Sequence, residues 1–142
     1  MRFKNRYLLL ELVWKDARAD DALLEPTLLA CFRQSIWTCF GDHGLGLALA
    51  SLQVKFHSAL TGLCIVRCSR DQHRQVWGAL STITEIRHRT VLLRLLHLGG
   101  TLASCQRTAL AHSRASLAAL QLTAQQARSA RDAEARLQAL EL

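Results

Sequence analysis

Leu8, Leu9 and Leu10 stand in a row near the start of the chain, inside an apolar run over 7–13 that only Glu11 interrupts. Such a run predicts a strand buried on both faces, as a central strand is. A polar, Asp-containing loop over 16–21 follows it. Pro26 suits the first turn of a helix, where a missing N–H costs nothing. Leu28, Leu29, Phe32, Ile36, Cys39 and Phe40 then recur at helical spacing, and Gly41 and Gly44 predict the helix end. Two strands are predicted next, over 49–57 and 63–68, with a turn over 58–62. Ser69 and Gln72 have the spacing of a capping box, ahead of a short helix presenting Val76, Trp77 and Leu80. A fourth strand is predicted over 90–98. Gly99, Gly100 and Thr101 then open a third helix with Thr101 as its N-cap. Residues 101–142 hold neither Gly nor Pro, and twelve of these 42 are Ala, which predicts one or two C-terminal helices.

The order is β-α-β-β-α-β followed by helix. It predicts an α+β fold: a ferredoxin-like (split βαβ, RRM-like) four-stranded antiparallel sheet packed on helices, with an additional C-terminal helix. Alternate strand residues share a face. One face collects Leu8, Leu10, Leu12, Leu52, Val54, Phe56, Cys64, Val66, Cys68, Val91, Leu93 and Leu95, all apolar, and suits packing against helices. The other mixes Leu9, Glu11, Gln53, Lys55, His57, Leu63, Ile65, Arg67, Leu92, Arg94 and Leu96. With the first and third strands adjacent, Glu11 and Arg67 are expected side by side there, under a partner or a helix. A partly exposed ion pair of little energetic weight is the plainer expectation.

Charge changes the picture through its position. The chain carries 18 Lys and Arg against 11 Asp and Glu. Residues 1–54 are balanced at six and six, and 115–142 at three and three. Residues 55–114 hold nine basic side chains against Asp71 and Glu85, so the whole net charge of +7 sits there. A concentrated positive field favours a polyanion, RNA or an acidic membrane surface. Fifteen of the 18 cations are Arg, which suits bidentate phosphate contact and stacking. A solvated basic face kept for solubility gives the same count.

Other classes are disfavoured. The first apolar stretch is far too short for a membrane span or a signal-peptide core. The five cysteines are odd in number and none forms a C-x-x-C pair, which predicts reduced core residues of the cytosol or nucleus. His43, His57, His73, His88, His97 and His112 are scattered without metal-binding spacing, and no nucleophile elbow or P-loop is present. Acidic residues are nearly missing where metal-dependent phosphodiester hydrolysis would need them. No catalytic and no metal-binding residue is expected.

Four segments resemble a known family in the right order. Met1-Arg2-Phe3-Lys4-Asn5-Arg6-Tyr7-Leu8-Leu9 is similar to the opening of the Pop-five subunits of ribonuclease P and RNase MRP. Thr61-Gly62-Leu63-Cys64-Ile65-Val66-Arg67-Cys68 is similar to their central strand, and Gln75-Val76-Trp77-Gly78-Ala79-Leu80 with Ile83-Thr84 to the helix after it. Leu96-His97-Leu98-Gly99-Gly100-Thr101-Leu102-Ala103-Ser104-Cys105-Gln106 is similar to their turn into the third helix. The similarity covers roughly residues 1–115, expected as one domain, with 116–142 as a helical extension. Animal members often end in an acidic tail; this chain ends in neutral, Ala- and Gln-rich sequence, and loop 16–21 is only loosely matched.

The resemblance implies a non-catalytic subunit of a ribonucleoprotein that matures precursor tRNA 5′ ends and, in the MRP form, processes ribosomal RNA precursors. It implies that RNA supplies the catalytic site and holds the magnesium ions, with no cofactor on the protein. It implies assembly with that RNA, with an Rpp-thirty-like barrel subunit and with an Rpp-fourteen-like paralogue, indirect contact with precursor tRNA, and residence in the nucleus and nucleolus.

Gly99, Gly100 and Thr101 form the strongest local site, since two glycines before a helix N-terminus let RNA backbone approach free N–H groups. His97, Arg94 and Arg107 are expected to surround a phosphate there. Arg2, Lys4 and Arg6 suit a basic arm. Arg67, Arg70 and Arg74 flank a strand-to-helix junction, Arg87 and Arg89 a loop, and Lys55 a strand. A ligand-free turn and a plain terminus are the alternatives. Aromatic residues are 6% of the chain and no stacking motif is present, so backbone and shape recognition is expected. Leu117, Leu120, Leu137 and Leu140 give the C-terminal segment apolar positions for a partner. Two rival functions remain: a ferredoxin-like protein-interaction module without RNA contact, and a stand-alone RRM-like binder of single-stranded RNA.

Overall fold

The computed structural model describes residues 4–18, 22–118 and 124–140. Arg2, Leu120 and the side chain of Leu117 lie outside the described residues. The elements are β1 (Asn5–Trp14), α1 (Glu25–Leu49), β2 (Gln53–Ser58), β3 (Leu63–Ser69), α2 (His73–Ser81), β4 (Glu85–Ile86), β5 (Arg89–Gly99), α3 (Leu102–Ala118) and α4 (Ala124–Gln138). One curled antiparallel sheet runs β2-β3-β1-β5-β4. It has five strands, not the four expected. The extra strand, β4, is two residues long and joins β5 through Arg87 and His88, both in the left-handed region (φ 53° and 65°). Hairpin turns of this kind favour Asn-Gly or Asp-Gly, so Arg-His carries no turn signal.

β1 is the centre. It pairs with β3 on one side and β5 on the other. Leu8, Leu9 and Leu10 are all at most 1% exposed, because both faces of the strand are covered. On one face Leu8, Leu10, Leu12, Cys64, Val66, Cys68, Val91 and Leu93 pack with Phe32 and Ile36 of α1 and Val76 and Leu80 of α2. On the other, Leu9, Leu63 and Ile65 pack with Leu102, Cys105 and Ala109 of α3 and Leu137 of α4.

Phe56 corrects the face assignment. It belongs to the second core, not to the face shared with Val54. Pairing between β2 and β3 shifts between Val54 and Phe56, and one inserted residue reverses the alternation beyond it. Glu11 and Arg67 are also not neighbours. Antiparallel register sets Tyr7 opposite Arg67 and Glu11 opposite Leu63.

Helix ends differ as well. Pro26 does lie in the first turn of α1. The helix is kinked at Gly41 (φ 70°, ψ −168°) and resumes to Leu49, so β2 begins at Gln53 rather than 49. Only glycine tolerates that φ cheaply. A 3₁₀ turn (Arg70–Gln72) intervenes before α2, and Ser69 makes no side-chain cap; its N–H instead donates to Ser51 Oγ at 2.9 Å. Thr101 does cap α3, its Oγ1 accepting from the Ser104 N–H at 3.3 Å.

The C-terminal segment folds back. Gln106 Nε2 donates to the carbonyls of Leu137 (2.7 Å) and Leu140 (3.1 Å), satisfying groups that a helix end leaves open. Arg114 meets Glu134 at 2.7 Å. Arg136 Nη2 donates to the His57 carbonyl at 3.2 Å and its guanidinium lies 5.4 Å from the Phe56 ring centre.

Candidate nucleic-acid interface

The register gathers distant basic residues at one end of the sheet. Because β1 is antiparallel to both neighbours, its beginning meets the end of β3 and the end of β5: Asn5 faces Ser69, Arg6 faces Cys68, and Tyr7 lies between Arg67 and Gly99. Lys4, Arg6, Arg67, Arg70 and the Gly99-Gly100-Thr101 turn therefore share that end, with Arg74 in the first turn of α2. The segments 4–7, 67–74 and 97–101 carry five Lys and Arg and a single acid, Asp71. Asp71 is 84% exposed and only 4.0 Å from Arg70 Nε, too open and too distant to neutralise the cluster.

Backbone contacts fix this end. The Arg70 N–H donates to the Lys4 carbonyl at 2.9 Å, and His73 Nδ1 lies 2.6 Å from the Arg70 carbonyl. Arg67 Nε donates to the Ser51 carbonyl at 3.2 Å. Arg6 Nη1 donates to the Asn5 carbonyl at 3.0 Å, and a Cβ on Gly100 would stand 3.7 Å from that nitrogen. His97 Nε2 and Ser104 Oγ share a 2.6 Å hydrogen bond. A Cβ on Gly99 would come within 3.2 Å of Ser104 and 3.3 Å of His97, a tight contact that these two side chains would have to relieve by shifting a few tenths of an ångström. Ser51 and Ser104, which no sequence signal singles out, are the residues that hold Arg67 and His97.

Two thiols brace the same end. Cys105 Sγ donates to the Tyr7 carbonyl at 3.3 Å and Cys68 Sγ to the Arg6 carbonyl at 3.9 Å. Burial pushes both thiols up to about 11, the Arg6 charge lowering Cys68 and a backbone hydrogen bond lowering Cys105 only in part. Burial raises Cys64 further still and raises Cys31. All five cysteines are free, and Cys39 is exposed.

Other candidate residues lie elsewhere. Arg94 Nη2 is held by Glu11 Oε1 at 2.9 Å, and Glu11 Oε2 meets His112 Nε2, so Arg94 is not beside the glycine turn. Arg107 lies on α3 in a cleft with Ala103, Gln106, Leu110, Leu137 and Gln138. Lys55 is at the register shift on β2. Arg87 is at the β4–β5 turn, at the opposite end of the sheet. Arg89 is not a loop residue: it starts β5, contacts Asp16 (2.7 Å) and the Arg18 carbonyl (2.6 Å), and lies 4.4 Å from the Trp14 ring centre. Among the described residues, no three His, Cys, Asp or Glu gather as a metal site, and no helix is long and apolar enough to cross a membrane.

This is an α+β domain of a known class, with a basic end to its sheet. A sequence model of the Rpp14/Pop5 family matches residues 6–110, and the chain belongs to that family. It is 41% identical over 114 residues to the probable ribonuclease P/MRP protein subunit POP5 of Arabidopsis thaliana, covering 76% of each chain. It is 34% identical over 121 residues to the ribonuclease P/MRP protein subunit POP5 of Mus musculus, covering 82% of this chain and 72% of that one. A chain in a cryo-EM structure of yeast ribonuclease MRP has a similar fold, with a TM-score of 0.52 at 16% identity, covering 72% of this chain and 78% of that one.

Proposed function

We propose that this chain is a non-catalytic protein subunit of ribonuclease P and RNase MRP that binds and stabilises their RNA through the basic end of its sheet. The observation that carries the reading is the convergence of Lys4, Arg6, Arg67 and Arg70 on a glycine turn and a helix N-terminus. Guanidinium groups, backbone N–H groups and a glycine cradle all suit phosphate oxygens. The names of the relatives support the particle. On this reading RNA does the chemistry and holds the magnesium, and the chain takes part in precursor tRNA 5′ maturation and ribosomal RNA processing in the nucleus and nucleolus. Residues 1–115 carry the RNA role and 116–142 extend them. The strand order β2-β3-β1-β5, with β4 set aside, supports a ferredoxin-like arrangement.

Phe56, the aromatic side chain of β2, is 3% exposed beneath the C-terminal helices, which favours backbone recognition over base stacking. Trp37, Phe40, Leu47 and Trp77 on α1 and α2 are 43–49% exposed, and suit companion subunits: an Rpp-thirty-like barrel or an Rpp-fourteen-like paralogue. Binding of the purified chain to transcribed RNase P RNA across a salt series tests the reading. The expected result is salt-dependent binding to folded RNA that exceeds binding to unstructured oligonucleotides. No binding at low ionic strength overturns it.

A further inference from the structure

Ser51 lies between α1 and β2 and is fixed by its neighbours. Ala48 and Leu52 are 2% and 3% exposed, buried in the first core. The Ser51 N–H donates to the Ala48 carbonyl at 3.2 Å. β2 begins two residues later, where Gln53 pairs with Arg67. The same antiparallel register carried two residues back sets Ser51 opposite Ser69, the last residue of β3. At that point β2 has not yet begun, and the Ser51 side chain stands in for the ladder. Its Oγ accepts from the Ser69 N–H at 2.9 Å.

Two arginines depend on this one residue. The Ser51 carbonyl accepts from Arg67 Nε at 3.2 Å. A guanidinium carries five N–H donors, and this bond uses one of them. Nη1 and Nη2, the fork that can meet two oxygens of one phosphate, make no hydrogen bond among the described residues. Arg70 is fixed through Ser69. β3 lies between β2 and β1, and two successive N–H groups at its end are taken from the two sides. Ser51 Oγ holds that of Ser69, and the Lys4 carbonyl holds that of Arg70 at 2.9 Å. The peptide groups before and after Ser69 are both pinned. This sets the direction in which the chain leaves β3, carrying Arg70 and then Arg74 with it.

We propose that Ser51 is a positioning residue for RNA, its carbonyl setting Arg67 and its hydroxyl setting Arg70 for phosphate before RNA arrives. Donors held ready in advance leave less ordering to be done on binding. The inference rests on the RNA reading above and adds to that surface a residue with no charge of its own.

The test is filter binding of the full chain to transcribed RNase P RNA across a salt series, with thermal melts on the same samples. Ser51→Ala is expected to weaken binding about threefold to tenfold at a temperature where it is fully folded. The slope of log K against log salt should stay at the wild-type value, because every cation is still present. Ser51→Thr, which keeps the hydroxyl, should bind as the wild type does. In a chain already carrying Arg67→Gln and Arg70→Gln, Ser51→Ala should cost nothing further, since it acts through those two groups. Amide exchange at Ser69 in the free protein should quicken in Ser51→Ala and not in Ser51→Thr. Wild-type affinity in Ser51→Ala, an equal loss in the doubly substituted chain, no rescue by Ser51→Thr, or unchanged exchange at Ser69 each overturns the inference. The RNA reading survives any of these if Arg70→Gln alone weakens binding and lowers the slope. If the wild-type chain does not bind the RNA at low ionic strength, both fall together.

Discussion

The backbone N–H of Arg70 donates to the Lys4 carbonyl at 2.9 Å, clipping the start of β1 to the turn that follows β3. Two basic segments more than sixty residues apart thereby become one surface. A phosphate neutralised there releases counterions, so the salt dependence of RNA binding reports how many phosphates the surface holds. Replacing Arg6, Arg70 and Arg74 by glutamine is expected to weaken RNA binding at every salt concentration. The slope of log K against log salt should fall by about one for each phosphate left without its guanidinium. Filter binding across a salt series measures it. An unchanged slope in all three single variants would move the RNA surface elsewhere.

Arg89 should behave differently. It is occupied by Asp16, the Arg18 carbonyl and the Trp14 ring. Arg89→Ala is expected to cost stability, with about 0.5–1 kcal/mol from the missing cation–π interaction alone, while RNA affinity of the folded protein stays close to wild type. Thermal melts and filter binding on the same sample separate the two effects.

The Arg89–Asp16 pair also sets a pH response. The hydrogen bond from Arg89, then that from the Arg18 backbone, hold the Asp16 carboxyl below its ordinary value. A lowered folded value means that Asp16 stabilises the fold above the unfolded carboxyl range. That stabilisation is lost as pH falls through the lower folded value. Carbon-detected titration of Asp16 should show an upward return towards the ordinary value in Arg89→Ala.

Much of this architecture can be read from residue pattern. The three leucines at 8–10 announce a strand covered on both faces, and the Gly99-Gly100-Thr101 turn announces the start of α3. What pattern cannot supply is non-local register. The shift between Val54 and Phe56 reverses a face without any Gly or Pro to mark it. The neighbour of Glu11 is Arg94 rather than Arg67 because antiparallel pairing runs the residue numbers in opposite directions. The candidate site suffers the same limit: its residues are visible one by one, but Lys4 and Arg6 reach Arg70 and Gly100 only through the pairing of β1 with both neighbours.

Gly99 offers a local test of how the turn is built. In Gly99→Ala the new Cβ would stand 3.2 Å from Ser104 Cβ and Oγ and 3.3 Å from His97 Nε2. Ser104 and His97 must separate by a few tenths of an ångström, loosening their 2.6 Å bond. The expected cost is about 1 kcal/mol, the usual worth of such a bond. Faster amide exchange in the first turn of α3, with β1 unchanged, would locate the effect. An unchanged melting temperature would mean that the turn yields more easily than its packing implies.

The C-terminal helix supplies the last test. Leu137 is 1% exposed and completes a core with Phe56, Leu63 and Ile65, while Gln106 closes the end of α4 through the carbonyls of Leu137 and Leu140. Leu137→Ala removes buried methyl groups and leaves a cavity, for which about 2–5 kcal/mol is expected. Gln106→Ala leaves two carbonyls without their donor, for which about 1 kcal/mol is expected because water reaches a frayed helix end. Both variants should release α4 before the sheet unfolds. Amide exchange over 128–138 then rises while exchange in β1 and β3 holds. If β1 and β3 open together with α4 in both variants, the helix is part of the cooperative core and not a layer laid over it.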